Sequence, residues 1–564
     1  MAQIEIDHLT FAYPPGDTPV LHDICLTVPE SEFLVLCGPT GCGKSTLLRH
    51  IKRELRPHGK RGGVIAVAGV PVDDMDAAQS MRIGFVQQNP ETQLVTDTVW
   101  HELAFALENL GLPNAVIRQR VAELASFFGI DGWFRKPVTE LSGGQKQMLN
   151  LASVMAMQPK VLILDEPTSQ LDPIAAREFL DTVRRINLEL GTTVVLTEHR
   201  LEDAFPMADR VAVMEKGRIR FEGIPAEVGR MLSDEPGEGM FKGLPTPMRV
   251  YREVPFGDSC PLTVREGRLW LQALVRGAKP ENAPEQDIPK AKDARAAVME
   301  TKDLWFRYSR DAEDVLRGLS VAFHPGETHC ILGGNGSGKT TLLTLLAALK
   351  SPYRGRVTLN GKDVHKLPAS ALYRGNVALL PQNPRALFSK DSVKEELDAV
   401  AARMENADAA RNRLFELISA LGLEPLLSRH PYDLSGGEQQ KTALAMMLLM
   451  APRILLMDEP TKGLDADAKE GLGALLEGLK NQGMAIVMVT HDVEFAAVYA
   501  DICSLLFDGV VTAQNPPGAF FAGNSFYTTA ANRMARDVFP LAVTAKEVAQ
   551  ACKETLPAAD QGSR

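Results

Sequence analysis

Two kinds of apolar pattern alternate along the chain. Ile4-Glu5-Ile6 and Val20–Val28 put every second side chain on one face and predict half-buried, antiparallel strands. The runs Phe33-Leu34-Val35-Leu36-Cys37, Val161-Leu162-Ile163-Leu164 and Thr193–Thr197 are apolar throughout and predict strands covered on both faces, as in a parallel core. The same order returns in Thr328–Leu332, Ile454-Leu455-Leu456-Met457 and Ala485–Thr490. Helix-spaced stretches, Asn114–Phe128 and Ala407–Leu421, stand between these strands and predict a helical subdomain inserted in each half. Alternating strands and helices of this kind give an α/β fold.

The polar landmarks repeat with the apolar ones. Tyr13 precedes Lys44 by 31 residues, and Tyr308 precedes Lys339 by 31. Gln88 follows its lysine by 44 residues and Gln382 by 43. Then come Leu141-Ser142-Gly143-Gly144-Gln145 and Leu434-Ser435-Gly436-Gly437-Glu438, then Asp165-Glu166-Pro167 and Asp458-Glu459-Pro460, and last His199 and His491. A period of roughly 300 residues exceeds any solenoid repeat and reads as duplication of a whole domain. The expected organisation is a first domain over 1–222, a small mixed appendix over 223–276 and a linker over 277–297. A second domain over 298–512 and a second appendix over 513–564 follow. The linker reading rests on the Pro-rich, charged stretch Lys279–Pro289. The appendices echo each other in Pro261-Leu262-Thr263-Val264 and Pro540-Leu541-Ala542-Val543, and Glu266–Leu274 is helix-like.

Composition narrows the partners. The 564 residues carry a net charge of −10, which argues against nucleic acid as the main partner. The seven cysteines show no C-x-x-C pair, so neither a zinc site nor a disulfide framework is indicated, and a reducing compartment suits them. No stretch reaches the ~18 apolar residues of a membrane span, so a membrane role would act through partner chains.

The strongest chemical signal is a phosphate-binding loop that occurs twice. Gly38-Pro39-Thr40-Gly41-Cys42-Gly43-Lys44-Ser45, followed by Thr46, fits G-x-x-x-x-G-K-[ST] between a strand and a helix. Gly333-Gly334-Asn335-Gly336-Ser337-Gly338-Lys339-Thr340, followed by Thr341, fits it again. Glycines let backbone N–H groups curl around phosphate oxygens, the helix N-terminus faces them, the lysine reaches the terminal phosphates and the hydroxyl holds Mg²⁺. Cys42 sits where a helix N-terminus would lower a thiol pKa, but the preferred reading is a small residue tolerated where only backbone matters. Arg49–Arg61, with six Lys/Arg and two His, reads as a solvated helix end and turn.

Lysine loop, glutamine, Leu-Ser-Gly-Gly, Asp-Glu-Pro and histidine, in this order in both halves, resemble the nucleotide-binding domains of ABC ATPases. The resemblance implies two P-loop domains, each with an antiparallel β subdomain, a parallel core and a helical subdomain. It also implies head-to-tail pairing around ATP, with Lys44 facing Ser435, Gly436 and Gly437, and Lys339 facing Ser142, Gly143 and Gly144. Gln145 and Glu438 complete the two signature segments. Asp165 and Asp458, with Ser45, Thr340, Gln88 and Gln382, would hold Mg²⁺. Glu166 and Glu459 would polarise the attacking water, and His199 and His491 would sense the γ-phosphate. Tyr13 and Tyr308 would stack on adenine. Gln88 is preferred to its neighbour Gln87 by alignment with Gln382-Asn383-Pro384. Asp172 and Asp465 resemble the loops that communicate between two such sites.

Gln88–Leu94 with Thr98–Asn109, and Thr197–Asp203, resemble the fused two-domain ATPases of energy-coupling-factor importers. That group moves vitamins, vitamin precursors or transition-metal ions. The implied partners are a transmembrane coupling subunit and, through it, a substrate-binding membrane subunit, with the chain held at the cytoplasmic face of the cell membrane. The second half departs from the pattern. Arg385-Ala386-Leu387-Phe388 replaces Glu91-Thr92-Gln93-Leu94, so the first groove, with Glu102 and Glu108 nearby, is expected to be the more acidic. The alternative is a soluble tandem ABC ATPase such as a ribosome-acting translation factor. Its long charged interdomain helix has no counterpart in 277–297.

Overall fold

The computed structural model describes residues 2–14, 16, 18–198, 201–234, 240–257, 259–275, 296–404 and 407–555. The stretch read as a linker lies almost entirely outside them. The chain divides into two compact units, Met1–Gly267 and Arg268–Arg564.

In the first unit the alternating segments form a four-stranded antiparallel sheet, in the order Leu21–Pro29, Ala2–Ala12, Lys60–Val67, Val70–Pro71. Its inner positions, among them Ile4, Ile6, Leu9, Ile24 and Val28, are buried, as period-two patterning requires. The continuous apolar runs form a six-stranded sheet in the order Arg218–Gly223, Arg210–Glu215, Phe33–Cys37, Thr193–Thr197, Val161–Asp165, Ile83–Val86. All its neighbours are parallel except the first hairpin. Phe33–Cys37, Val161–Asp165 and Thr193–Thr197 are buried at every position. Their carboxyl ends lie side by side, which is where open α/β sheets carry their ligands.

The second unit repeats both sheets. Leu316–Phe323, Met299–Phe306, Arg354–Leu359 and Lys362–Asp363 form the antiparallel one. Val377–Leu380, Ile454–Asp458, Ala485–Val489, Thr328–Leu332, Ile502–Phe507 and Val510–Asn515 form the other, parallel up to its last hairpin. The helical subdomain is present in each unit: Val99–Asn109, Asn114–Phe127 and Gly143–Met155, then Val393–Ala401, Ala407–Leu421 and Gly436–Leu449.

The appendices are helical rather than mixed. Pro225–Asp234, Thr246–Glu253 and Val264–Val275 make up the first, and Pro517–Gly523, Ala530–Ala535 and Ala545–Thr555 the second. Their sequence echo is real but two residues out of register. The structural equivalents are the helix starts Thr263/Glu266 and Thr544/Glu547, where each threonine hydroxyl accepts the glutamate N–H while the glutamate carboxylate accepts the threonine N–H. The Pro-Leu-x-Val match missed this because it was carried by apolar side chains rather than by the caps. The basic run Arg49–Arg61 is less solvated than its composition suggests. Arg56 and Arg61 both pair with Asp73. His50 is buried with its Nδ1 2.7 Å from the Thr46 carbonyl, and burial lowers its pKa.

One helix carries a paired test of packing. A Cβ on Gly473 would stand 2.2 Å from the Tyr499 ring, whereas one on Gly471 meets nothing. Both lie in Ala466–Asn481. Gly473→Ala is expected to destabilise the second unit by about 1–3 kcal/mol through overpacking. Gly471→Ala should stabilise it by about 0.5–1 kcal/mol, because alanine restricts the unfolded chain. Thermal unfolding of the two variants should therefore shift in opposite directions.

Candidate functional site

Each phosphate loop links the end of a buried strand to a helix, Lys44–His50 or Lys339–Leu346. The first glycine is required by close approach: a Cβ on Gly38 would lie 2.2 Å from the Met214 carbonyl, and one on Gly333 2.3 Å from that of Leu506. The lysines are buried and fold back into their loops. Lys44 Nζ donates to the carbonyls of Gly38 (2.8 Å) and Pro39 (3.1 Å), and Lys339 Nζ to those of Gly333 (3.0 Å) and Gly334 (2.9 Å). The rims of the loops, Thr40, Gly41, Asn335 and Gly336, are open to solvent. Gly43 and Gly338, in left-handed conformation, start the two helices, with Thr46 and Thr341 in their first turns.

The acidic pair stands directly beneath. The Ser45 hydroxyl donates to Asp165 Oδ1 at 2.8 Å, and the Thr197 hydroxyl lies 3.1 Å from the same oxygen. In the second unit the Thr340 hydroxyl bonds Asp458, whose Oδ1 is buried without a partner. Burial raises the pKa of both aspartates, and neighbouring Glu166 adds to the rise at Asp165. Such an all-oxygen set with an unsatisfied buried carboxylate oxygen fits a hard divalent cation of the Mg²⁺ type.

Glu166 and Glu459 follow in left-handed backbone, φ 47° and 52°, a strained setting for residues other than glycine. The strain is held by hydrogen bonds. Glu166 N donates to Thr197 O at 3.1 Å, and Glu459 N to Val489 O at 2.9 Å. Gln88 Nε2 donates to Glu166 Oε2 at 2.9 Å, while Gln87 turns to Thr92 instead, so the glutamine chosen by alignment is the one that reaches the acid. Gln382 is exposed. His491 meets Glu459 twice, with its N–H 3.2 Å from Oε2 and its Nε2 3.1 Å from Oε1. His199 lies outside the described residues. Burial pushes the Glu459 carboxyl up to about 7. If Glu459 serves as a general base it must be ionised, and turnover at its site would then rise about tenfold per pH unit below that value and level off above it. A pH–rate profile in a Glu166→Gln background checks this; a flat profile between pH 5.5 and 8 would contradict it.

The remaining candidates are peripheral to this cluster. Tyr13 and Tyr308 are 39% and 59% exposed, and their hydroxyls reach Thr46 (3.1 Å) and Thr341 (2.9 Å). Each packs edge-on against the phenylalanine two residues before it, Phe11 or Phe306. Ser142 and Ser435 cap the signature helices through reciprocal boxes with Gln145 and Glu438. Gly143 and Gly436 face open space, so nothing in their own unit demands a glycine there. Asp172 and Asp465 cap the helices Pro173–Leu190 and Ala466–Asn481. Thr197 and the buried Glu198, which accepts the Thr168 N–H at 3.0 Å, are site-supporting residues that motif spacing does not single out.

One preferred reading holds and one expectation is corrected. Cys42 is buried, and desolvation raises its thiol pKa, outweighing the lysine and backbone N–H groups that lower it. Glu102 is no groove charge. It is buried and accepts the N–H groups of Val95 (3.1 Å) and Thr96 (2.7 Å). Glu91 and Arg385 are likewise engaged within their own units, by Lys146 (2.7 Å) and Gln439 (3.2 Å).

The arrangement is one in which a polyphosphate could be held, a cation coordinated and water activated. The family model described as ABC transporter matches residues 21–169 and 316–462. A Bacillus cereus protein carrying the name ABC transporter ATP-binding protein is 42% identical over 98% of both chains. One of the same name from Streptomyces coelicolor is 37% identical, over 91% of this chain and 94% of its own. A solved structure titled cbiO1 from Clostridium perfringens, part of the ABC transporter complex cbiONQ, is 28% identical. It covers 43% of this chain and 96% of its own, with a TM-score of 0.39. With both halves matched and full-length relatives of the same name, this chain belongs to the ABC transporter ATP-binding proteins and is an ATPase with two such domains in tandem.

Proposed function

We propose that this ATPase energises an energy-coupling-factor importer for a vitamin, a vitamin precursor or a transition-metal ion. No helix among the described residues is long and apolar enough to cross a membrane, so the substrate path belongs to partner subunits. The observation that carries the reading is the segment after Gln88. Asn89 caps the short helix Pro90–Thr92, Gln93 ties back to Phe85 O at 2.9 Å, and Val95 and Trp100 are left exposed. This makes a firm ledge, directly bonded through Gln88 to Glu166, for a helix of a transmembrane coupling subunit. ATP would be held in two composite sites, Lys44 with Ser435, Gly436 and Gly437, and Lys339 with Ser142, Gly143 and Gly144. Mg²⁺ would sit at Asp165 with Ser45 and at Asp458 with Thr340, with Gln88 and Gln382 at its edge, and neutralise phosphate charge. Glu166 and Glu459 orient the attacking water and accept its proton. His199 and His491 stabilise the γ-phosphate, and Tyr13 and Tyr308 stack on the base.

Co-expression with candidate coupling subunits tests this. The chain should sediment with membranes only when one is present, and ATP turnover should rise on assembly. Association with ribosomes and with no membrane protein would overturn it.

A further inference from the structure

Each unit ties its appendix to the segment that follows its histidine, by the same bond. Glu202 and Glu494 both stand three residues past their histidines. Glu202 Oε2 accepts the N–H of Thr246 at 2.9 Å and its hydroxyl at 3.2 Å, at the first residue of the appendix helix Thr246–Glu253. Glu494 Oε1 accepts the N–H of Ala530 at 2.7 Å, the first residue of Ala530–Ala535. A carboxylate at a helix start is favourable in both places. The second appendix reaches further: the Tyr527 hydroxyl accepts the N–H of Gly333, the first glycine of the phosphate loop, at 3.1 Å. The appendix is itself braced, since buried Asn532 donates to the carbonyls of Pro540 (2.9 Å) and Ala542 (3.3 Å).

We infer that Glu202 and Glu494 are positioning residues for ATP hydrolysis, each anchoring its histidine segment to an appendix that serves as a fixed abutment. In the second unit the line runs Glu459, His491, Glu494, Ala530, with Asp492 capping the helix Val493–Tyr499 between them. Loss of the anchor would let that helix start shift and carry His491 away from Glu459. ATP binding would change little, because the lysine, the loop amides and the tyrosine are untouched. The inference rests on the proposed role of His491.

The test uses the full chain in a Glu166→Gln background, so that turnover reports the site of Glu459 and His491. Glu494→Ala is expected to lower kcat about five- to tenfold with ATP affinity unchanged within twofold. Glu494→Gln, which keeps an acceptor oxygen, should restore most of the rate. Adding Glu494→Ala to His491→Ala should cost nothing further, because the two act through one geometry. Loss of ATP affinity in parallel with kcat, or additive losses in the double variant, would overturn the positioning role. If His491→Ala itself leaves kcat unchanged, the reading of the histidine fails. If His491→Ala slows turnover and Glu494→Ala does not, the anchor alone fails.

Discussion

Replacing Glu459 or Glu166 with glutamine is expected to slow ATP turnover at its own site by about 10²- to 10³-fold and to leave ATP bound. Glutamine has the shape of the native side chain and still offers an oxygen to water, but it cannot take a proton. The backbone should tolerate the exchange. The left-handed conformation at both positions is held by main-chain bonds to Thr197 and Val489 that do not involve the carboxylate. The orienting contacts, Gln88 to Glu166 and the His491 N–H to Glu459, also need only an acceptor. Single-turnover phosphate release with retained nucleotide is the measurement. The two halves keep equivalent residues, so each variant should lose the turnover of its own site and keep that of the other. One variant with full turnover beside one with none would show that a single site does the work.

Loss of either loop lysine should act at the earlier step. Lys44 and Lys339 are 4% and 7% exposed, buried charges held by carbonyls of their own loops. A charge-assisted bond is worth about 1.5–3 kcal/mol, so Lys44→Ala and Lys339→Ala should each weaken ATP binding at the affected site by about 10- to 100-fold. Titration with a fluorescent ATP analogue, one lysine changed at a time, should show one tight and one weak site. Two tight sites would contradict the assignment.

The two-domain plan was legible because its chemistry is local in sequence. A glycine loop, its lysine and the following hydroxyl lie within eight residues, and the apolar runs that lead into them are buried as strands at every position. What was not legible depends on which way a side chain turns. Glu102 looked like a surface acid, yet the loop before its helix has N–H groups without other partners, and a carboxylate turned inward satisfies two of them. Its equivalent, Glu396, is buried in the same way over Ser389 and Lys390. Identity at one spacing in both halves was the available signal. Cys42 marks a related limit: proximity to a helix start can be read from sequence, but the desolvation that outweighs it cannot. The appendix anchors escaped because their partners are more than 30 residues away and both are backbone amides.

The capped serines at the signature helices differ in one respect. A hydroxyl that accepts a hydrogen bond keeps its proton and becomes a better donor, so Ser142 and Ser435 are both primed toward an anion. At Ser142 the partner is the neutral amide of Gln145. At Ser435 the hydroxyl accepts the Glu438 N–H, and the residue that closes the box by accepting the Ser435 N–H is the carboxylate of Glu438, with Arg429 3.7 Å away. Under the proposed function, a polyphosphate at Ser142 would meet a neutral cap and one at Ser435 a charged cap. A single charge therefore separates two otherwise matched caps, and the duplicated halves are not copies of one another where their helices begin.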